Sequence, residues 1–321
     1  MSSADEDRRP EVKVAVVWAP AYELLLSMGC FIDTRHSPYE LGPLWSRSVR
    51  DQLGAEAAAR QSRKSVTRAF KDEGDLLYLL VHVCPGPRDA ASFLGWFSQL
   101  TAGAAYEALA PCLPESGPRL PRDFVAWRDA ALDLLGVWHT SVFRHIDPAI
   151  LTGLQREADK LQARITNEPP LALIEDVTNG LVIEPSPECD SVTLAPQYHH
   201  RPYNNHTAVQ GGVLLFYPCD VLPPPPDVPP ATLMRLTHAL GDESRLRMLR
   251  FLANGPRSLT EVARFAGLSQ PTVHHHLTQL RAAGLVRIHF VLSSPNRYSL
   301  RPHALEQLSN QLGAYLEVPE P

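Results

Sequence analysis

Residues 258–288 read SLTEVARFAGLSQPTVHHHLTQLRAAGLVRI. Ser258 and Glu261 stand at the spacing of a capping box, in which the hydroxyl accepts from a backbone N–H three residues on and the carboxylate reaches back. Leu259, Val262 and Ala266 share one face of the helix so opened, and Gly267 stops it. Only Leu268 separates that stop from Ser269, a second N-cap, and Pro271 is tolerated in the first turn. The next helix turns Val273, Leu277 and Leu280 inward and ends at Gly284. Two short helices joined by so tight a turn predict a helix-turn-helix.

The flanks extend the pattern. Upstream, Leu233, Leu236 and Leu240 recur at helical spacing. Asp242 then caps a helix with Leu246, Leu249 and Leu252 inward, closed by Asn254-Gly255-Pro256. Downstream, Leu285 to Leu292 alternates: Val286, Ile288 and Phe290 on one face, Arg287 and His289 on the other. Ser293-Ser294-Pro295-Asn296 is turn chemistry, and Arg297 to Leu300 returns. That is a hairpin, a wing, with Arg287, His289 and Arg297 expected to point outward. A last helix, His303 to Leu316, carries Leu305, Leu308, Leu312 and Leu316.

Charge supports the same end of the chain. The 321 residues carry a net charge of −5, which by itself argues against a nucleic-acid partner. Residues 231–321, however, hold ten arginines, no lysine and six acids, a net of +4. The preceding 230 residues hold 20 basic and 29 acidic side chains. A basic end on an acidic chain points to an anionic partner at that end. The five cysteines, at 30, 84, 112, 189 and 219, form no CxxC pair, so neither a disulfide framework nor a zinc knuckle is expected. No apolar run reaches about 18 residues, and the first ten residues lack the apolar core of a secretory signal. The expectation is a cytoplasmic protein with no membrane partner.

CDVLPPPPDVPP, residues 219–230, reads as a stiff polyproline linker. It sets the expected domains: 1–218, 219–230 as linker, and 231–321. The first is read as mainly helical with a small sheet, so the fold class is α+β. Glu11 to Trp18 is an expected strand, followed by a helix from Pro20. Helices are expected over Leu44–Phe70, Ala90–Leu113, Phe124–His145 and Leu151–Ile165, while Leu76–Val83 fits a buried helix or a strand equally. Asn179-Gly180 is a helix stop. Three short apolar runs follow, Leu181–Glu184, Ser191–Leu194 and Val213–Tyr217, the first two expected to pair through Pro185–Asp190.

LGDESRLRMLRFL (240–252) and the stretch quoted first resemble the winged-helix domain of ArsR-type, arsenical-repressor-like, transcription regulators. The resemblance covers residues 231–316. It implies a homodimer built from the first and last helices of the domain, hence from Leu233, Leu236, Leu240, Leu305, Leu308, Leu312 and Leu316. It also implies that the helix opened by Ser269 enters the major groove of a near-palindromic operator in double-stranded DNA. Ser269, Gln270, Thr272, Val273, His276 and Leu277 match the family's recognition helix; Pro271 and His274 depart from it, and His274 in place of a small residue puts base preference in doubt. Gln can pair with adenine and Thr with either base edge. His274, His275, Thr278 and Arg281 lie off the core stripe and are assigned to the DNA face with His276, Arg287, His289 and Arg297.

Bland readings compete. A helical hairpin alone would explain the periodicity of 258–284, but not the wing or the arginine excess. Three consecutive histidines suggest a metal, yet neighbours on a helix stand about 100° apart and cannot converge on one ion. Family members that sense metals use a Cys-x-Cys before the recognition helix or acid/His sets in the last helix. Here those places read TEVARFAGL and HALEQLSNQLGAYLE, without Cys and with a single His. Cys189, His199, His200, His206 and Cys219 form no pair at usual ligand spacing, so no metal or cofactor is expected.

VVWAPAYELLLSMG (16–29), APQYHHRPYNN (195–205) and GGVLLFYP (211–218) resemble an uncharacterised N-terminal domain found on some regulators of this type. No Gly-rich phosphate loop, HExxH or GxSxG pattern occurs, so an enzyme is not expected. Three roles remain for the domain: binding a small-molecule effector, bracing a dimer or partner protein, or an enzyme fused to a DNA-binding module. The sequence supports a dimeric repressor of the first kind, and does not name the effector or the operator.

Overall fold

The computed structural model describes residues 12–33, 39–61, 75–114, 119–184, 186, 189–224, 228–291 and 294–317. Thirteen described helices and eight strands run in the order β1 (Lys13–Val16), α1 (Pro20–Ile32), α2 (Gly42–Gln61), α3 (residues 75–83), α4 (Ala90–Gln99), α5 (Ala102–Leu109), α6 (Phe124–Ser141), α7 (Pro148–Ile165), α8 (Pro170–Val177), β2 (Leu181–Ile183), β3 (Ser191–Gln197), β4 (Asn205–Val209), β5 (Gly212–Pro218), α9 (Ala231–Leu240), α10 (Glu243–Leu252), β6 (Arg257–Ser258), α11 (Leu259–Ala266), α12 (Gln270–Ala282), β7 (Val286–Phe290), β8 (Arg297–Leu300) and α13 (Ala304–Leu316). The class is mixed helix and sheet, as expected.

The chain divides into two compact units, and the division is not the expected one. One unit holds residues 13–163 and 191–222; the other joins 164–190 to 223–321. The cut at 222/223 falls within the expected linker, and the departure is residues 164–190, whose run at 181–184 does not pair with the run at 191–194. β2 instead lies parallel to β7, with Leu181, Val182 and Ile183 opposite Ile288, His289 and Phe290. β3 lies parallel between β1 and β5. Between β2 and β3, Ser186 and Cys189 form an isolated antiparallel bridge. The local turn that suggested a hairpin exists, but its two arms enter different sheets.

In the unit of 13–163 and 191–222, the sheet order is β1-β3-β5-β4, with β4 antiparallel to β5. β4, NHTAV, carries too little apolar alternation to have been read as a strand. Gly212 sits where an added Cβ would lie 2.1 Å from the Ser191 carbonyl oxygen, so the start of β5 tolerates no side chain beside β3. α1 is buried nearly all round, and its Leu24, Leu25, Leu26 and Met28 pack with Phe93, Phe97, Leu135, Trp138 and Phe216 in one core. The ambiguous run at 76–83 is helix. The helix expected over 90–113 is two, because Thr101 leaves helical geometry and caps α5 through the Ala104 N–H. α2 breaks at Gly54, whose φ is +73°, and the expected continuation to Phe70 lies outside the described residues. Among the described residues, no helix is long and apolar enough to cross a membrane.

In the other unit, the sheet order is β2-β7-β8-β6. Val273, Leu277 and Leu280 of α12, Val262 of α11, and Met248, Leu249 and Leu252 of α10 are buried, so the expected core stripes form. Leu246 is the exception: it is 49% exposed, and Met248 takes the inward place.

Candidate nucleic-acid interface

The helix-turn-helix is fixed at each junction by its own side chains. Asp242 caps α10 by accepting from the Arg245 N–H at 2.9 Å. The Ser258–Glu261 capping box is complete, and Gly267 closes α11 in left-handed geometry at φ +68°. Ser269 then caps α12 through the Thr272 N–H. Nothing in this turn needs a partner molecule to hold its shape.

α12 presents a polar row at its N-terminal half. Ser269, Gln270, Thr272, His274 and His275 are exposed, while Val273 and Leu277 face the core. The Ser269 hydroxyl lies 2.8 Å from that of Thr272, and the Gln270 amide donates to the Thr260 hydroxyl at 3.3 Å. The first helical turn therefore offers rotatable polar groups at the positive dipole end of a helix, a combination that favours anions. Thr278 and Arg281 are half-buried further along. His276 departs from the expectation: it is half-buried, and its Nδ1 is buried without a hydrogen-bond partner. It sits at the edge of the core rather than with the exposed row.

The wing departs further. Arg297 is exposed and donates to the Pro256 carbonyl at 2.9 Å, leaving its edge open. Arg287 was expected to point into solvent. Its guanidinium instead grips Glu175 of α8 with two bonds, at 2.6 and 3.0 Å. His289 donates or accepts at the Ser299 hydroxyl at 2.8 Å and stands 3.4 Å from Glu184. The physical reason is the 164–190 segment: β2 extends the wing sheet beyond β7, and Glu175 of α8 and Glu184 after β2 reach Arg287 and His289. Arg287 and His289 thus anchor the 164–190 segment.

No local sequence signal announced that segment's contacts. Arg301 is buried, donates to Asn179 Oδ1 at 2.7 Å and lies 3.9 Å from both Glu175 and Asp176. Burial pushes its pKa down, against the raising effect of those two acids. Asn179 is in left-handed geometry at φ 59°, and its amide approaches the Ala282 carbonyl at 3.4 Å. Gly284, at φ +70°, faces it; a Cβ there would lie 2.3 Å from Asn179 Oδ1. The end of α12 and the root of the wing are therefore built around one asparagine 105 residues upstream of that glycine.

α9 and α13 carry the expected leucine stripes, but unequally. Leu233 and Leu236 are buried and Leu240 is half-buried. On α13, Leu308 is half-buried, while Leu305, Leu312 and Leu316 are 60%, 41% and 72% exposed, with Tyr315 beside them. That is an uncovered apolar face in this single chain.

The other unit holds a second polar centre. Glu23 of α1 is fully buried, accepts from the Tyr198 N–H at 2.8 Å and pairs with His199 Nδ1. A buried carboxylate is tolerable only with such partners. His200 follows; its Nε2 is buried without a partner, and burial pushes its pKa down to about 4. Tyr39 packs on the His200 ring and Trp45 on His199. The motif APQYHHRPYNN signalled these histidines, but nothing in the sequence signalled that Glu23 meets them.

The profile of a family described as a helix-turn-helix domain matches residues 240–289. A probable mercury resistance operon repressor of Streptomyces lividans is 42% identical over 57 residues, 18% of this chain and 46% of that protein. The chain thus spans about half the length of the curated relative it matches. Among solved structures, similarity extends to a homodimeric winged helix-turn-helix domain from Mycobacterium bovis, described as a possible ArsR-family regulator, at 23% identity over 27% of this chain and 82% of that one, with a TM-score of 0.23. It extends also to a cadmium metal-sensor from Mycobacterium tuberculosis, at 34% identity over 26% and 84%, with a TM-score of 0.20. Each of these matches covers no more than 27% of the chain.

Proposed function

We propose that the protein is a DNA-binding transcription regulator, a homodimeric repressor of a near-palindromic operator, whose N-terminal unit binds a small effector. The observation that carries this reading is the α12 N-terminus: a capped helix, held by a buried stripe, with Ser269, Gln270, Thr272, His274 and His275 exposed together. Gln270 and Thr272 read base edges, and Ser269, Thr278, Arg281 and Arg297 serve phosphates or neighbouring edges. Arg287, His289 and His276 drop out of that set because the 164–190 segment and the core hold them. The uncovered face of α13 supports the dimer, since Leu305, Leu312 and Leu316 bring apolar area that a second copy covers about a two-fold axis. Two recognition helices then stand about one DNA turn apart, roughly 34–36 Å.

The effector reading rests on the buried Glu23–His199 pair and the orphaned Nε2 of His200 beside Tyr39, polar groups that the core itself does not require. DNA as partner places the protein in the cytoplasm, and no catalytic role is proposed. Footprinting on the DNA upstream of its own gene, with and without cell extract, tests the whole: two protected half-sites one turn apart are expected, altered by extract. Uniform protection without half-sites would remove the sequence-specific regulator.

A further inference from the structure

Arg245, Gln279 and His275 form a hydrogen-bonded ladder from the end of α9 to the exposed side of α12. Its inner end is fixed by the fold. The last carbonyls of a helix have no partner within it. At the end of α9, Arg245 supplies that partner: its Nε donates to the Ala239 carbonyl at 2.7 Å and its Nη2 to the His238 carbonyl at 2.8 Å. The backbone N–H of Arg245 is held in turn by the Asp242 cap. Its Nη1 donates to Gln279 Oε1. One turn back along α12, the Gln279 amide nitrogen lies 3.0 Å from His275 Nε2.

Each rung dictates the next. A guanidinium carries only donors, so the Gln279 atom that meets it is the oxygen, and the other end of the amide is its NH2. That NH2 also only donates, so His275 Nε2 must accept with its lone pair. An imidazole that accepts at Nε2 is neutral and carries its proton on Nδ1. A proton on Nε2 would set two donors face to face. Free histidine favours the opposite tautomer. Among the described residues His275 Nδ1 makes no hydrogen bond, and the side chain is exposed. α12 therefore offers a neutral N–H donor whose sense is chosen by the groups behind it.

We propose that His275 is a specificity-determining residue that meets the duplex as this neutral donor, its Nδ1–H directed to an acceptor on a base edge, and that Gln279 and Arg245 are its positioning residues. The acceptors that the major groove presents are purine N7, guanine O6 and thymine O4. The base contact rests on the DNA-binding reading above, whereas the ladder is a property of the protein alone. A ring in this state brings no charge and displaces no counterion. Its contribution lies in base preference and not in the salt-dependent part of binding.

The first test needs no DNA. Ring-nitrogen NMR of the full-length chain at about pH 8, where free imidazole is neutral, should show His275 protonated on Nδ1, its signals identified by their loss in His275→Ala. Gln279→Met keeps the side-chain length without the amide, and Gln279→Glu puts an acceptor where the NH2 stood. In both, the proton should move to Nε2. A proton on Nε2 in the unaltered chain overturns the proposal, and so does a tautomer that neither variant changes. Should either variant fail to fold, the tautomer of the unaltered chain decides. The second test is binding to the duplex from upstream of its own gene, and to copies with each base pair of a half-site changed in turn. His275→Ala should lose about 3- to 10-fold in affinity and the discrimination at one base pair per half-site, with the slope of log K against log salt unchanged. Gln279→Met should lose the same discrimination with His275 still present. A loss shared by all sequences, with a slope shallower by about one, would put a charged ring on a phosphate and overturn the proposal. Unaltered preference in the His275 variant overturns it as well. If the unaltered chain binds every duplex alike, the sequence-specific reading fails and takes the base contact with it, and the ladder stands or falls on the ring NMR.

Discussion

Asn179→Ala is the sharpest single perturbation of the unit that holds the helix-turn-helix. Asn179 is in left-handed geometry, and placing an alanine there costs about 1–2 kcal/mol of backbone strain. The substitution also removes the acceptor of a charge-assisted bond from buried Arg301 at 2.7 Å, a kind of bond worth about 1.5–3 kcal/mol. Arg301 keeps Glu175 and Asp176 at 3.9 Å, which holds that second loss to the lower end. The expected destabilisation is about 2–4 kcal/mol. At an m-value of about 2 kcal/mol per molar urea, it lowers the midpoint by about 1–2 M. Asn179→Gly removes the bond without the strain and should recover roughly 1 kcal/mol of this. All five tryptophans, at 18, 45, 96, 127 and 138, lie in the N-terminal unit, so their fluorescence follows that unit, whereas dichroism follows the helices of both. Urea unfolding followed by far-ultraviolet circular dichroism should therefore shift, while the tryptophan fluorescence transition stays. An unchanged dichroism midpoint, or alanine and glycine variants of equal stability, would refute the role assigned to Asn179.

Operator affinity should fall steeply with salt, with log K against log salt near −4 to −5 for four to six phosphate contacts per dimer; a slope near zero removes the winged helix as the DNA site. Gln270→Ala should cost about 1–3 kcal/mol and relax preference at one base per half-site, whereas Arg297→Ala should weaken all sequences alike; an intact preference in the Gln270 variant means the register of α12 is misread. Leu308→Glu with Leu312→Glu puts charge on the uncovered α13 face, and sedimentation should show monomers with helix content retained; a surviving dimer places the interface in the N-terminal unit. His200 is held neutral by burial, its pKa moved from the ordinary histidine value of about 6.5 to about 4, with Glu23 and Asp33 acting against the shift and His199 with it. The unfolded chain takes up the proton first, so this contribution is full above about pH 6.5 and fades as pH falls towards 4, on the order of 3 kcal/mol in all. The tryptophan-monitored stability of His200→Gln should lose that acid sensitivity, and an unchanged pH profile would show that His200 does not titrate as described.

The helix-turn-helix was legible because its signals are local. Ser258, Glu261, Gly267, Ser269 and Gly284 each fix the backbone within a few residues of themselves, and the leucine stripes repeat within one helix. The features that escaped are non-local. The run Leu181-Val182-Ile183 is strand-like in any reading, but its partner lies more than a hundred residues on, in parallel register, and no turn chemistry announces such a pairing. The apparent hairpin partner at 191–194 was nearer and equally apolar. Glu23 escaped for a similar reason. On α1 it interrupts an apolar run, and a lone acid in such a run looks like a solvent-facing residue until His199 is brought to it across 176 positions. Leu246 shows the limit of spacing arguments, since its neighbour Met248 took the buried place.

Segment 164–190 also changes what the charge asymmetry means. Residues 231–321 carry a net of +4, but residues 164–190 bring one arginine and six acids, a net of −5, into the same unit. A uniform basic domain would bind DNA through its whole surface, and this one is not uniform. Arg287 and Arg301 are held by segment 164–190, Arg245 is turned inward to Gln279 and the Ala239 carbonyl, and Arg257 approaches Glu261. Arg247, Arg250, Arg264 and Arg297 remain exposed, on α10, α11 and the wing. The acids thus neutralise the outer face of the wing sheet, while exposed arginines remain on the helices that lead up to and flank the turn into α12. An arrangement of this kind discourages DNA from lying across the back of the wing. It lets the sign of the field, as well as the shape of the turn, set which face meets the duplex.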